Sequence, residues 1–272
     1  QKINYPNIIK IHDFFNSKTT TKMIKEYGKM DYIVACNCLA HIDDINDIFK
    51  NIKLILNDYG IIIMEVHYVK NICESMNFDF IYHEHMSYYS INGIYNICKN
   101  NNLYLENVEH ISNHGGSIRI TIKNKQDTSN IHHNPILTNI LQQEDITQYM
   151  YTFLDRINKW KIEINSIIND VYEKEQIIAG YGASGRTNIL LTVMQKKFDF
   201  IFDDSKSKIN NFIPIFHTQI LNSYEIYNNN IKTIFLLAWP YSKYIIKKHI
   251  KFIENGGRFI IILPEIKEIN IN

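Results

Sequence analysis

The 272-residue sequence lacks the features that mark several large classes of protein. Its formal net charge is only +1, so we expect neither nucleic acid nor a membrane surface as a partner bound by bulk electrostatics. No apolar run reaches the roughly 18 residues needed to span a bilayer, and no signal peptide is recognisable. The four cysteines form no C-x-x-C pair and no metal-binding spacing, which indicates reduced thiols in a cytoplasmic protein.

Two further observations concern the cysteines and the start of the chain. Cys36 and Cys38 are two positions apart on a predicted strand, so we expect them to share one face as packing residues. The chain begins at Gln1 rather than Met, and its first elements are typical of the middle of a domain.

Strands and helices alternate along the first half of the sequence. Continuous apolar runs predict strands at residues 8–11, 31–38 and 61–66, and Tyr59-Gly60 predicts a turn. Capping residues and helical apolar spacing predict helices at 19–28, 44–56 and 91–100. Apolar strands alternating with amphipathic helices predict a parallel sheet that is covered on both faces. An antiparallel pair at 103–109 and 117–123 is predicted to complete this sheet.

The second half repeats this alternation on a smaller scale. A polar linker at 124–139 and a long helix at 144–173 precede predicted strands at 176–179, 198–202, 232–238 and 258–263, with helices at 186–195 and 242–254. The sequence therefore predicts an α/β protein with a second, smaller doubly wound unit. We expect domains at 1–125 and 176–272, joined by a linker and long helix at 126–175.

A glycine motif lies between a strand and a helix of this second unit. Gly180-x-Gly182-x-x-Gly185, with Asp204 19 residues further on, satisfies the dinucleotide-binding pattern in its expected context. Glycines permit close approach of the backbone, and a helix amino end offers unpaired N–H groups to a phosphate. Arg186 adds a cation that suits any diphosphate. The motif therefore indicates a bound anion such as a diphosphate, for which NAD is one candidate.

The densest polar cluster is Tyr82-His83-Glu84-His85, and His114-Gly115-Gly116 follows with Arg119 nearby. Buried polar groups need partners, whereas proton transfer uses side chains that titrate near neutral pH. The H-E-x-x-H spacing of a zinc helix is absent, so we expect no metal. We interpret the cluster as acid–base machinery in which His85 or His83 is the base and Glu84 tunes a neighbour.

Several motifs in one order resemble the sugar C-methyltransferase family. They are Asn37-x-Leu39-Ala40-His41, Tyr82-x-Glu84-His85, His114-Gly115-Gly116, Gly180-Tyr181-Gly182-Ala183, Phe202-Asp203-Asp204 with Lys208 and Pro214, Leu237-Ala238-Trp239, and Gly256-Gly257-Arg258-Phe259. The likeness runs from Ile8 to Pro264. Compared with the family, the chain lacks a zinc-binding amino-terminal domain and the first strand and glycine loop of the methyltransferase domain, so we expect a partial, Rossmann-like class I methyltransferase domain in an amino-terminally truncated chain.

The resemblance implies that S-adenosylmethionine methylates a carbon beside the keto group of a nucleotide-diphosphate deoxysugar through an enolate. It implies His85 as the base, Glu84 as its support and Tyr82 as the residue that orients the sugar. The cofactor would be bound by Asn37, Leu39 and His41. The substrate would be bound by His114, Gly115, Arg119, Gly180, Tyr181, Gly182, Ala183, Ser184, Arg186, Lys208 and Trp239.

Two other functions are compatible with the sequence. The first is an NAD-dependent oxidoreductase that uses the glycine loop at 180–185. The second is a non-catalytic remnant that binds a sugar nucleotide but cannot hold S-adenosylmethionine. We expect a monomer or a homodimer in each case.

Overall fold

The computed structural model describes residues 7–111, 116–124, 135–227 and 230–271. The chain divides into two compact units. The first comprises Gln1–Tyr68 and Met86–Glu144, and the second comprises Val69–His85 and Asp145–Asn272. The short segment Val69–His85 therefore packs with residues that follow it by sixty positions or more. The domain limits expected from the order of the motifs remain a prediction.

Strands and helices alternate along the described residues, as the sequence predicts, but the predicted linker at 124–139 is wrong in its last part, where a helix begins at Pro135. In chain order the helices are α1 (Ser17–Tyr27), α2 (Ile45–Ile55), α3 (Val69–Glu74), α4 (Ile91–Asn100), α5 (Pro135–Gln143), α6 (Ile146–Glu175), α7 (Gly185–Met194), α8 (Ser242–Lys248) and α9 (Ile250–Glu254). The strands are β1 (Met30–Cys36), β2 (Leu56–His67), β3 (Tyr104–Ile111), β4 (Ser117–Lys123), β5 (Ala179–Tyr181), β6 (Phe200–Asp203), β7 (Phe212–Ile213), β8 (Thr218–Asn222), β9 (Thr233–Leu236), β10 (Arg258–Ile261) and β11 (Lys267–Ile269). Short 3₁₀ helices lie at Leu39–His41, Phe78–Phe80, Ser223–Tyr227 and Trp239–Tyr241.

The sheet of the first unit has the order β1-β2-β4-β3. β1 and β2 are parallel, and β4 is antiparallel to both of its neighbours. Helix α2 connects the two parallel strands. Asp44 is its N-cap residue, and the Asp44 carboxylate accepts a hydrogen bond from the Asp47 N–H, which would otherwise be unpaired. The buried side chains of α2, among them Phe49 and Ile52, follow the helical spacing that predicted this element.

Two local predictions in this unit are wrong. Residues 8–11 form no strand, and the side chains of Ile8 and Ile9 are exposed, because an apolar run becomes a strand only where a neighbouring strand pairs with it. Tyr59 and Gly60 lie within β2 rather than in a turn between elements. The strand register explains why Tyr59-Gly60 has a turn-like sequence. Met30 and Tyr32 of β1 pair with Leu56 and Ile61 of β2, so the extra residues of β2 between these pairs form a bulge.

The cysteine prediction also fails. Cys36 is the last residue of β1, and the next residue, Asn37, turns the chain with a φ of 51°. Cys38 therefore leaves the strand, and the alternation of faces no longer applies to it. Both thiols are exposed rather than packed.

The sheet of the second unit has the order β11-β10-β9-β5-β6-β8-β7. Its five central strands are parallel, and the short edge strands β7 and β11 are antiparallel to their neighbours. β5 and β9 are buried along their whole length, as continuous apolar runs predict. These findings confirm the predicted α/β class with parallel, Rossmann-like sheets.

The order of the strands reverses at β5, which pairs with β6 on one side and β9 on the other. Ligands of open α/β sheets bind beyond the carboxyl ends of strands at such a reversal. The chain leaves β5 into the glycine loop and leaves β9 into Leu237-Ala238-Trp239. The fold thus brings two of the predicted motifs to the edge of the sheet where a ligand is expected.

The 30-residue helix α6 packs in the second unit through one apolar stripe. Phe153, Trp160, Ile164 and Ile168 are buried on it at spacings of four or seven residues. The Trp160 Nε1–H donates to the Ile262 carbonyl oxygen at 2.6 Å, which satisfies the polar edge of a buried indole. Despite its length, α6 is too polar to cross a membrane, and no other helix in the described part of the chain qualifies.

A helix predicted at 242–254 is divided into α8 and α9 at His249. The imidazole of His249 is fully buried, with Nε2 3.2 Å from the Tyr181 hydroxyl and Nδ1 3.2 Å from the Tyr227 hydroxyl. The apolar spacing predicted a single helix. It could not predict the break, because the break occurs where the His249 ring is held by Tyr181 and Tyr227 from other elements.

Candidate active site

The segment from Phe78 to His85 carries the polar cluster and belongs to the second unit. After the 3₁₀ helix Phe78–Phe80, the His85 N–H donates to the Tyr82 carbonyl oxygen at 3.0 Å and closes a turn. The turn buries His85, which is 8% exposed, and leaves His83 and Glu84 exposed. The structure thus separates the cluster into one buried imidazole and one accessible polar pair.

The imidazole of His85 is held by a backbone acceptor and two aromatic rings. Its Nδ1 lies 2.9 Å from the Phe80 carbonyl oxygen. The ring stacks on Phe80 at a centroid distance of 6.0 Å and lies 4.2 Å from the Tyr82 ring. A carbonyl oxygen only accepts hydrogen bonds, so Nδ1 carries the proton of the neutral ring and the lone pair is on Nε2. This tautomer can act as a base through Nε2.

A cavity of about 680 Å³ in the second unit includes the accessible part of this cluster. Its lining residues are Tyr82, His83, Glu84, Gly185, Arg186, Asn188, Ile189, Pro214 and Ile215. The lining combines polar and charged side chains with the aliphatic side chains of Ile189, Pro214 and Ile215, a combination typical of small-molecule sites of this size. Burial raises the pKa of the Tyr82 phenol, and the nearby Glu84 adds to this while Arg186 opposes it. Tyr82 is therefore a hydrogen-bond donor to the cavity at neutral pH.

The glycines of the fingerprint have a packing role. A Cβ on Gly180 would lie 2.6 Å from Leu237 Cδ1, and one on Gly182 would lie 2.3 Å from Ala238 Cβ. Gly182 also has a φ of 109°, which other residues rarely adopt. By contrast, a Cβ on Gly185 would meet nothing within 4 Å. Close packing of the β5 and β9 ends therefore explains two of the three glycines without any ligand.

Most backbone donors of the glycine loop are already used within the second unit. The Gly182 N–H donates to the Phe202 carbonyl at 2.7 Å, and the Ala183 N–H donates to Asp203 Oδ2 at 2.7 Å. Ser184 caps α7 in a reciprocal pair of hydrogen bonds with Thr187. Within the described part of the chain, only the N–H groups of Gly185 and Arg186 in this stretch find no acceptor. A bound anion would meet the first turn of α7 rather than the loop at 180–184.

The side chain of Arg186 pairs with a carboxylate that sequence reasoning missed. Asp79 is fully buried and accepts from Arg186 Nε at 2.9 Å and from Nη2 at 2.6 Å. The Trp239 Nε1–H donates to the same carboxylate at 2.8 Å. The sequence offered one signal for this pair, since Asp79 lies between two phenylalanines in Phe78-Asp79-Phe80. An acid in such an apolar segment is expected to be buried, and a buried charge needs a partner. The predicted contact of Arg186 with a substrate diphosphate stays a prediction.

Other predicted substrate residues also have partners within the protein. The Tyr181 hydroxyl bonds to His249, and burial raises the pKa of its phenol. Lys208 lies 3.4 Å from Asp203, and Arg119 lies 2.6 Å from Glu65 in the first unit. His114 and Gly115 lie outside the described residues.

Asp204, the acid of the dinucleotide pattern, forms an ion pair with Lys248. Burial by itself would raise the pKa of Asp204, but hydrogen bonds from Lys248, Ser223 and Tyr181 outweigh it and lower the pKa. In a dinucleotide site this carboxylate would accept the ribose hydroxyl. Here it is engaged by side chains of its own unit.

The residues predicted to hold the methyl donor follow β1 in the first unit. The Asn37 N–H donates to the Glu65 carbonyl at 2.9 Å, and its side-chain oxygen is buried with no hydrogen-bond partner among the described residues. Leu39 is buried and His41 is exposed. A buried acceptor without a donor at the carboxyl edge of a parallel sheet fits a ligand that brings an N–H or O–H group.

The described ranges contain no group of three or more His, Cys, Asp or Glu side chains that could hold a metal ion.

Comparisons with known proteins show which family the chain resembles. Residues 112–264 match the model of the C-methyltransferase C-terminal domain, and residues 6–108 match the model of a methyltransferase domain. A curated relative, C-methyltransferase NovU from Streptomyces niveus, is 26% identical over 259 residues. The match covers 92% of this chain and 61% of the relative, so the chain spans about three fifths of that protein's length.

Proposed function

The chain belongs to the family of the C-methyltransferase C-terminal domain, and we propose that it transfers a methyl group from S-adenosylmethionine to a carbon of a sugar nucleotide. The acceptor is the carbon beside the keto group of a nucleotide-diphosphate deoxysugar. The observation that carries the proposal is the 2.9 Å contact between His85 Nδ1 and the Phe80 carbonyl oxygen, an acceptor that favours the proton on Nδ1. An imidazole held in this way is prepared to remove a proton from carbon.

The reaction begins with proton transfer. His85 Nε2 takes the proton from the carbon beside the keto group, and the C–H electron pair becomes an enolate. The imidazolium that forms keeps its Nδ1–H bond to Phe80, while Tyr82 donates a hydrogen bond that orients the sugar. General base catalysis of this kind contributes about 10²- to 10⁴-fold in rate.

The methyl donor would be bound by residues of the first unit. Asn37 supplies the buried acceptor, Leu39 supplies apolar surface, and His41 is an exposed polar group beside them. S-adenosylmethionine, when bound, supplies an electrophilic methyl group that bonds to the enolate carbon as the thioether leaves.

The cavity of the second unit suits the sugar nucleotide. His83 and Glu84 offer polar contacts, and the N–H groups of Gly185 and Arg186 could bind an anion at the start of α7. The aliphatic lining residues, among them Ile189 and Pro214, suit a flat or apolar part of the ligand. This assignment moves the diphosphate from the glycine loop, where the sequence predicted it, to the first turn of α7.

A solvent-exchange experiment tests the base directly. The protein is incubated in deuterium oxide with a nucleoside-diphosphate ketodeoxysugar and S-adenosylhomocysteine, and deuterium at the carbon beside the keto group is measured by mass spectrometry. We expect exchange with the parent protein and a loss of about 10²-fold or more in His85→Gln. The exposed His12 provides the control, and His12→Gln keeps the parent rate. Undiminished exchange in His85→Gln contradicts the assignment.

Calorimetry separates this function from its rivals. A C-methyltransferase binds both S-adenosylhomocysteine and a nucleoside diphosphate such as UDP or dTDP. A sugar-nucleotide-binding remnant binds only the nucleoside diphosphate, whereas an NAD-dependent oxidoreductase changes the fluorescence of NADH on mixing. No feature of the glycine loop favours the oxidoreductase, since packing accounts for Gly180 and Gly182.

A further inference from the structure

We infer that Asp79, Arg186 and Trp239 position the catalytic base, a role that rests on the proposed function of His85. We call these three residues the Asp79 anchor. The anchor does not touch the reacting atoms. It acts through Phe80, which contacts the anchor on one side and His85 on the other.

The first part of the argument is the geometry of the anchor. Arg186 and Asp79 form two parallel N–H···O bonds, and Trp239 adds a third bond to the same carboxylate. The side chain of Asp79 is only 1% exposed and that of Arg186 is 24% exposed. A buried bidentate ion pair has one favoured geometry, whereas an exposed ion pair samples several geometries. The anchor therefore fixes the segment at residues 78–80 against the start of α7.

The second part is the contact of the anchor with Phe80. The Arg186 guanidinium lies over the Phe80 ring at 4.1 Å from its centroid and over the Trp239 ring at 5.2 Å. A cation is attracted to an aromatic face at these distances, and a planar guanidinium also stacks on it. Phe80 follows Asp79 directly in the chain. Both its ring and its backbone are thus held by the anchor.

The third part is the contact of Phe80 with His85. The Phe80 carbonyl is the acceptor that places the proton on Nδ1, and its ring stacks at an interplanar angle of 13° on the imidazole. In water a neutral imidazole prefers the opposite tautomer, with the proton on Nε2. A small displacement of the Phe80 carbonyl therefore releases His85 to a tautomer whose Nε2 cannot accept a proton.

The anchor also changes the expected role of Arg186. Its charge is matched by Asp79, so the pair presents little net charge to an anionic ligand. Arg186 then contributes to the substrate site through its backbone N–H and through the loop that it positions. The predicted role of Trp239 changes in the same way, because its indole N–H is bound to Asp79.

The test is the tautomer of His85, measured by ¹⁵N NMR of histidine-labelled protein at a pH where the ring is neutral. In the parent protein we expect the proton on Nδ1. In Asp79→Asn and in Arg186→Gln we expect a mixture in which the Nε2–H form grows. Arg186→Lys keeps the charge but loses the planar fork, and we expect an intermediate spectrum. Lys174→Ala is the matched control, since it removes a surface ion pair with Asp170 in the same unit.

The readout separates positioning from simple loss of fold. Amide spectra establish which variants are folded, and Trp239→Phe is a milder second variant that removes a single donor from the Asp79 carboxylate. In the folded variants, turnover falls between roughly tenfold and a hundredfold while the Michaelis constant changes little, because misplacement affects the reacting geometry. An unchanged His85 tautomer in folded Asp79→Asn and Arg186→Gln overturns the inference.

The proposed function fails in a different way. If His85→Gln retains deuterium exchange, then His85 is not the base, whatever its tautomer. If His85→Gln loses exchange and the anchor variants keep the parent tautomer, the base is correct and the positioning role is wrong. The two results come from separate experiments and cannot be confused.

Discussion

Replacing single glycines of the 180–185 loop distinguishes a packing role from a ligand-binding role. In Gly182→Ala, the new Cβ would lie 2.3 Å from Ala238 Cβ and 2.8 Å from the Ala238 nitrogen, so backbone must move. This overpacking destabilises the folded protein by about 1–3 kcal/mol. The strain of a non-glycine residue at a φ of 109° adds about 1–3 kcal/mol. We expect the free energy of unfolding to fall by about 2–6 kcal/mol in total.

Gly185→Ala is the matched comparison. Its Cβ meets no atom within 4 Å, and residue 185 opens α7, where alanine is a better helix former by about 1 kcal/mol. We therefore expect its stability to be equal to the parent's or slightly higher. A dinucleotide cradle would instead predict that both variants fold normally and both lose ligand affinity.

The assay is thermal unfolding followed by calorimetry, with circular dichroism as a second probe because the chain has two units. At about 2–4 °C per kcal/mol, Gly182→Ala should melt at least about 4 °C below the parent protein. A Gly182→Ala protein that melts with the parent would refute the packing explanation. So would a Gly185→Ala protein that is destabilised as much as Gly182→Ala.

Two further predictions concern titratable groups. Burial, followed by the charge of Lys248, lowers the pKa of His249 to about 4, below the usual value near 6.5. The neutral ring therefore stabilises the folded protein above pH 6.5, and this contribution is lost as the pH falls from 6.5 towards 4. Urea unfolding should give a free energy about 2 kcal/mol lower at pH 5 than at pH 7.5, and His249→Gln should show a smaller difference. Burial raises the pKa of Cys73 to about 11 and of Cys98 to about 12. Desolvation also raises the pKa of Cys38, but the side chains of Cys36 and Cys38 are exposed to a reagent. A thiol reagent at pH 8 should therefore modify two cysteines in the folded protein and four in urea, and rapid reaction of all four in the folded state would contradict the burial of Cys73 and Cys98.

Features that depend on neighbours in the sequence were predicted well. The bounds of α4, Ile91–Asn100, follow from apolar spacing and from Ser90, whose side chain accepts the Gly93 N–H. The central strands β5 and β9 were recognisable because strands buried on both faces are continuously apolar. The same reasoning was wrong for β1, which was predicted to be buried but has no buried residue. The family resemblance was predicted from several separate motifs in one order, which is stronger evidence than any one of them, and the family models and the curated relative confirm it.

Features that depend on distant partners were not predictable. The Asp79–Arg186 pair joins residues 107 positions apart, and no local pattern connects them. The burial of His85 beside the exposed His83 depends on a turn and on the Phe80 ring, whereas the sequence presents both as equivalent imidazoles. The break at His249 depends on Tyr181 and Tyr227 in the same way. Propensity and spacing describe only the element to which a residue belongs. The burial and hydrogen bonds of these side chains depend on residues of other elements.

The glycine motif illustrates why the same residues supported two functions at the level of sequence. A dinucleotide site and a closely packed pair of strand ends both require residues without a Cβ, so the pattern by itself cannot distinguish them. What distinguishes them is the distance from each glycine to its neighbours. Gly180 and Gly182 are closed by Leu237 and Ala238, and only Gly185 is open, at the first turn of α7 beside His83 and Glu84. The open position, rather than the motif, indicates where a ligand can approach.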